Sequence, residues 1–311
     1  MGVFLCNKQI KRRSTLVIKE EKIYAIKQKV IKDSYTTIET RKEENHKGDE
    51  HMQELLQAIL ECEEAYLNCF CEKVKEENYI RYTDALLPDM YAYNFIEVGD
   101  KVTKETLKEL IQAETQRSID NKARFCKIKV PKYPQEPVVS CNGKSPEQET
   151  LGTYLCNLDL VKNWRQVTAC EVKRIANGRQ IEELIALDLI QDEATCGASF
   201  CKRRAIRKGQ VYISDTGCDS YICYYDGKPV GSCDLFINRT IAKIEDFSVS
   251  PEYQRKGIGT TILKALVERA QEQGAKNVYL NTEEDDTAKE MYMKLGFTKV
   301  AEFYSLIWER L

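Results

Sequence analysis

One stretch, residues 244–270, constrains the fold of this chain more than any other. Ile244-Glu245-Asp246-Phe247-Ser248-Val249 alternates its side chains as a strand does. Pro251 stops the strand, because proline has no N–H to give to a ladder. Ile258, Ile262, Leu266 and Ala270 then recur every fourth residue, with Leu263 and Val267 beside them, which makes the apolar face of a helix. Between strand and helix lies Gln254-Arg255-Lys256-Gly257-Ile258-Gly259. A helix start presents unpaired N–H groups and a partial positive charge. Gly257 and Gly259 let an anion approach that backbone, and Arg255 and Lys256 add full charges. The stretch reads as a cradle for a diphosphate; the plainer alternative is a strand-to-helix turn with a solvated basic pair. Spacing excludes two other nucleotide loops. No G-x-x-x-x-G-K-[ST] is present, and Ile262 stands where G-x-G-x-x-G needs its third glycine.

The flanking sequence gives an ordered series of elements. Gly274 stops the helix, and Val278-Tyr279-Leu280 reads as a short strand. Thr287 and Glu290 have capping-box spacing for a second helix, which carries Met291 and Leu295 and stops at Gly296. Phe297 opens a last strand toward Trp308. Upstream, 170–175 reads as a strand, and 180–190 and 194–207 as two helices broken at Gln191-Asp192-Glu193. Residues 219–225 and 229–236 read as strands around an Asp226-Gly227 hairpin turn.

This succession resembles the GNAT superfamily of acyl-CoA-dependent N-acyltransferases. Gln254 to Gly259 matches the family's Q/R-x-x-G-x-G/A signature in full, and Met291-Tyr292-Met293-Lys294-Leu295-Gly296-Phe297 matches its second signature, an aromatic followed by K-L-G-F. The resemblance covers about residues 168–311. It implies an α/β (α+β) fold with a mixed, mostly antiparallel sheet and flanking helices. It also implies acetyl-CoA as cosubstrate, without a metal. The acyl donor would lie where the fourth and fifth strands splay apart, its pantetheine arm along Phe247, Ser248 and Val249, bonded to the backbone of the first and last. Its diphosphate would rest on Gln254, Arg255, Lys256, Gly257, Ile258, Gly259 and Thr260, chiefly on the N–H groups from Arg255 onward. Val249 N–H would face the oxyanion. Tyr292 matches the family's acid, and a phenol keeps its proton at neutral pH; the plainer role is an aromatic packed on the sheet. Glu245 or Asp246 would take the amine's proton. Adjacent strand residues face opposite sides, so at most one would face the acetyl group, with Glu245 on the side of Phe247 and Val249. Either could instead attract a cationic substrate or pair with Lys243. Two positions depart from the family. Asp285 stands where an asparagine is usual, with Asn281 as a substitute, and only fourteen residues follow Phe297. The wall of the acceptor site would then need another contributor.

The first half is the candidate for that wall. Residues 1–50 read as an extension, 51–160 as a smaller α/β domain and 161–311 as the catalytic domain. Within the first half, 51–74 and 102–119 read as helices, 79–98 as mostly extended, 125–130 as a strand and the proline-rich 131–153 as irregular. The order could be a reduced copy of the GNAT core that lacks a glycine-bearing loop. Residues 15–31 fit either helix or strand, and 41–50 read as a polar joint.

Composition narrows the function classes. A net charge of −2 argues against broad nucleic-acid binding. No signal peptide or membrane-length apolar run is present, so the expectation is a cytoplasmic enzyme without a membrane partner. The thirteen cysteines include no four-ligand zinc spacing and read as reduced, mostly small buried apolar residues, with a redox role as the alternative. The expected activity is acetyl transfer to the primary amine of a small molecule; the alternatives are a protein amine as acceptor, or a non-catalytic CoA-binding regulator. A monomer and a homodimer are both open. Glu182, Glu183, Asp188, Asp192 and Glu193 read as a solvated helix surface or as a border attracting a polyamine or aminoglycoside.

Overall fold

The computed structural model describes residues 46–214 and 216–311, in two compact units, 1–57 and 58–311. Of the first unit only the opening of helix α1 (His46–Leu67) is described, and the expectation for 15–31 lies outside the described residues. Helix α1 begins inside the stretch read as a polar joint and ends before 72–75, which is strand rather than helix.

The second unit is built on one eleven-stranded sheet. Its strands are β1 (Glu72–Lys75), β2 (Tyr79–Thr83), β3 (Phe95–Val98), β4 (Phe125–Val130), β5 (Glu147–Cys156), β6 (Cys170–Arg174), β7 (Cys218–Tyr225), β8 (Lys228–Asn238), β9 (Ile241–Val249), β10 (Asn277–Glu283) and β11 (Phe297–Glu309). The helices are α2 (Lys104–Asp120), α3 (Gly178–Cys196), α4 (Ala198–Tyr212), α5 (Ile258–Glu272) and α6 (Ala288–Lys294). The spatial order is β1-β2-β3-β4-β11-β5-β10-β9-β8-β7-β6. Only β3–β4 and β9–β10 pair in parallel, and each of these pairs is joined through a crossover helix, α2 and α5 respectively. The sheet is therefore mixed and mostly antiparallel, as expected. Outward from the β11–β5 junction both sides repeat one pattern: an antiparallel neighbour, a parallel crossover pair, then an antiparallel meander.

Two chain segments are exchanged at that junction. β5, which begins inside the span read as irregular and runs three residues past it, lies between β10 and β11 and sends Tyr154 and Cys156 into the core of the second half. β11 runs as a single long strand between β5 and β4 and sends Leu306 and Trp308 into the core of the first half. Two local readings are also corrected. Helix α3 runs straight through Gln191-Asp192-Glu193, and the break falls at Gly197, where φ is +82° and few residues other than glycine are at ease. Thr287 makes no side-chain cap; the Oδ1 of Asp286 accepts the Ala288 N–H at 2.9 Å instead.

Candidate active site

The site begins where β9 leaves β10. The two strands are in register from Ile241 opposite Asn277 to Ile244 opposite Leu280, and then part. The cause lies on the other edge of β9, where Asp246 and Phe247 together oppose Cys233 of β8. This β-bulge, with Asp246 at φ +49°, bends the strand away from its parallel neighbour. Past the bulge, Ser250 N–H bonds to Val230 O at 2.8 Å, which leaves the Val249 N–H directed away from β8 toward the opening.

The bulge also overturns the alternation read from the sequence. Ile244, Phe247 and Val249 pack with α5, whereas Glu245 pairs with Lys243 and Asp246 with Lys208 of α4. Glu245 and Asp246 therefore share the face opposite Phe247 and Val249, because a bulge inserts one residue without reversing direction.

The loop that follows opens directly into α5. Gly257 is the N-cap at φ +84°, a left-handed conformation. No side chain caps this helix, whereas Thr103 caps α2 and Asn177 caps α3. The first intrahelical acceptor in use is Gly257 O, bonded by Thr261 N–H at 3.1 Å. The N–H groups of Ile258, Gly259 and Thr260 thus have no intrahelical partner. A Cβ on Gly259 would sit 3.0 Å from Cζ of Phe247, so loop and strand pack as closely as glycine permits. Gln254 fastens the loop back to the strand, donating from Nε2 to Val249 O at 3.0 Å. Lys256 lies over the Tyr253 ring at 4.9 Å. A third cation was not legible in the sequence: Nε of Arg165 lies 3.8 Å from where a Gly257 Cβ would be. The segment carrying Arg165 is moored by Val167 N–H to Thr261 Oγ1 at 3.0 Å and by Trp164 Nε1 to Leu295 O at 2.9 Å.

On the α5 face, Tyr292 is buried between Phe247, at 6.3 Å between ring centroids, and Phe297, at 5.8 Å. Burial first, then the nearby Cys233, Asp286 and Glu245, push its phenol well above the ordinary value, so it stays protonated at neutral pH. Eight of the twelve described cysteines are buried thiols, and burial lifts Cys62 to about 11 and Cys156 to about 12.

The opposite face carries a polar network. Lys243 Nζ lies 3.0 Å from Glu63 Oε2 of α1 and 2.7 Å from Glu245 Oε2, over the Tyr66 ring at 4.3 Å. Tyr279 Oη and Asn281 Nδ2 both donate to Glu63 Oε1, at 2.8 and 2.9 Å. Asn281 Oδ1 accepts from Thr153 Oγ1 at 2.8 Å. The amide of Asn281 is thus engaged by Glu63 and β5, on the face away from the loop. Further along this face a cavity of about 1050 Å³ opens between the end of β10, the start of β5 and the α3–α4 junction. Glu149, Glu283 and Asp285 line it with Thr195 and Phe200. Burial, then Glu149, Asp285 and Asp286, raise the Glu283 carboxyl above its usual range. Asp285 is therefore a wall of this acidic cavity. Three of the five helix carboxylates are engaged: Arg204 pairs with Asp188 and Asp192, and Glu183 accepts from Tyr224. No group of three or more metal-ligating side chains lies together among the described residues. Nor is any described helix long and apolar enough to cross a membrane.

A splayed parallel pair, a bulged strand and an uncapped basic helix start meet at one opening, and these make the candidate site. Comparison with known proteins places it. Residues 186–297 match the model of the acetyltransferase (GNAT) family. An uncharacterized N-acetyltransferase, CgeE of Bacillus subtilis, is 24% identical over 254 residues, covering 78% of this chain and 95% of that one. An uncharacterized N-acetyltransferase of Methanocaldococcus jannaschii, MJ1207, is 34% identical over 85 residues, 25% of this chain and 38% of that one. Among solved structures, a functionally unknown conserved protein from Staphylococcus epidermidis has the same fold, with a TM-score of 0.65 at 17% identity over 78% of this chain and 95% of that one. A GCN5-related N-acetyltransferase from Kribbella flavida follows at 0.52 and 12% identity, covering 79% and 91%. The chain thus carries a GNAT acetyltransferase domain over residues 186–297, and the relatives it resembles are named N-acetyltransferases, which supports an enzyme of the acyltransferase class.

Proposed function

We propose that this enzyme moves an acetyl group from acetyl-CoA to the primary amine of a small cationic molecule, by direct attack in a ternary complex. The observation that carries the reading is the open start of α5, uncapped and surrounded by Arg165, Arg255 and Lys256, at the mouth of the β9–β10 opening. The N–H groups of residues 258–260 would hold the diphosphate. The Phe247–Val249 backbone would take the pantetheine arm, and the Val249 N–H the oxyanion. Amine nitrogen bonds to the acetyl carbon as the carbon–sulfur bond breaks. Glu245, directly or through water, takes one proton from the ammonium; Tyr292 gives its proton to the leaving sulfur and is restored by the second proton that the nitrogen sheds as the amide forms. The carboxylates of the 1050 Å³ cavity favour a cationic acceptor.

Residues 51–160 we take as a reduced copy of the same core and 161–311 as the catalytic half. The repeated sheet pattern supports this, as does the Thr103 cap, which fills in α2 the position left open in α5.

The test is thiol release from acetyl-CoA against a panel of mono-, di- and polyamines and lysine peptides. Turnover with small cationic amines is expected, and Tyr292→Phe should lower kcat about 10²-fold with CoA affinity intact. CoA binding without thiol release from any amine would identify a regulator instead.

A further inference from the structure

We propose that Glu63, on α1, is a positioning residue for this reaction: by sharing Lys243 it leaves the Glu245 carboxylate only partly neutralised. The proposal rests on acetyl transfer with Glu245 as the proton acceptor.

Three charges meet at the base of the β9–β10 opening, two carboxylates and one ammonium. Lys243 is 4% exposed and bridges the other two, with Glu63 at 3.0 Å and Glu245 at 2.7 Å. Burial alone would lower the lysine's pKa, but Glu245 and Glu63 outweigh it and hold it above the ordinary range. Burial likewise works against an ionised Glu63, and Lys243 and then Lys129 overcome it. Two carboxyl groups thus share a single ammonium. Glu63 cannot turn away, because Tyr279 and Asn281 both donate to its Oε1 and Thr153 of β5 holds Asn281. Glu245 keeps 31% of its side chain exposed. An incoming ammonium would supply a second positive charge and then pass one proton from its nitrogen to a Glu245 oxygen. Without Glu63 the lysine would serve Glu245 alone, and the carboxylate would become a poorer base.

Other ionisable groups surround Glu245: Tyr66 of α1, Tyr93, Cys233 and Asp234 of β8, and Tyr292 of α6, with Lys208 of α4 against Asp246. They are the same in every variant below.

The experiment is a ¹³C-carboxyl NMR titration of the full chain, with the Glu245 resonance assigned by its loss in Glu245→Gln, run beside the pH profile of kcat/KM for the amine. In Glu63→Gln the Glu245 midpoint should fall by about one unit and the acid limb of the profile should follow it, with KM for acetyl-CoA unchanged. In Lys243→Met both should rise. Glu63→Asp, which keeps the charge at a greater distance, should move them as Glu63→Gln does but less; it decides the matter if the glutamine variant fails to fold. An unmoved midpoint, or equal displacement in Glu63→Gln and Lys243→Met, overturns the proposal. Full turnover by Glu245→Gln overturns it as well, by removing the proton acceptor. If no amine releases thiol, the transferase reading fails by itself, while the NMR midpoints still decide whether Glu63 and Glu245 share the lysine.

Discussion

At the scale of single residues, the least comfortable group is Asp234. It is 2% exposed, accepts a hydrogen bond from Tyr212 Oη and lies 3.8 Å from Lys208 Nζ. Burial raises its carboxyl, and Lys208 and Tyr212 only partly offset that. The sign of the linkage follows. A carboxyl whose folded pKa lies above its unfolded value of 3.8 favours the fold while protonated, and that contribution is lost as pH rises from 3.8 through the native value. Asp234→Asn keeps the shape and the acceptor for Tyr212 and removes the ionisation. The variant should melt at a higher temperature than its parent at pH 7, with the difference closing toward pH 4. Thermal melts across that range decide it; a lower melting temperature at pH 7 would mean that Lys208 depends on the Asp234 charge more than burial opposes it.

At the scale of elements, α5 concentrates the binding chemistry at one end. Gly257→Glu would put a carboxylate at the N-terminus proposed to hold a diphosphate, in a backbone conformation that favours glycine, and calorimetry should find no CoA binding. Arg165→Ala should weaken CoA roughly tenfold, the worth of one charge-assisted hydrogen bond, without lowering the melting temperature, since Arg165 is exposed. Unchanged affinity would mean that Arg165 only overlies the loop. What was legible in sequence follows the same division. The strand, loop and helix of residues 244–270 are written in local periodicity and glycine placement, so their bounds and order could be read. The capping box at Thr287 does not form, because the Glu290 N–H it needs bonds to Thr287 O at 3.1 Å and Asp286 Oδ1 takes the Ala288 N–H instead. The polar run in α3 read as a break because polarity was taken for a loop; it reports exposure and pairing, and Asp192 is a partner of Arg204. Glu63 and Arg165 carried no signal at all, since each reaches the site from about ninety to one hundred and eighty residues away through tertiary packing.

At the scale of the whole molecule, the exchanged strands decide what can be removed. The polar start of β5, Glu147-Gln148-Glu149-Thr150, has little strand character of its own; its conformation comes from β11, and β10 joins on the other side only from Leu151 onward. β11 in turn buries Leu306 and Trp308, 0% and 1% exposed, in a core whose other members are in the first half. Cutting between the halves would open the β10 edge and strand a buried tryptophan and leucine in water, about 4 kcal/mol for those two side chains alone and a large part of a typical domain's net stability. Residues 161–311 alone should therefore be insoluble or lack a cooperative melt, and should lose CoA binding together with amine binding. Co-expression of residues 1–156 with 157–311 should restore both, because the break then falls after β5 and every strand pair can form. A soluble 161–311 fragment with a cooperative melt and native CoA affinity would show that the cofactor side of the site needs neither β5 nor the core that β11 completes, and would leave the first half as an acceptor wall and nothing more.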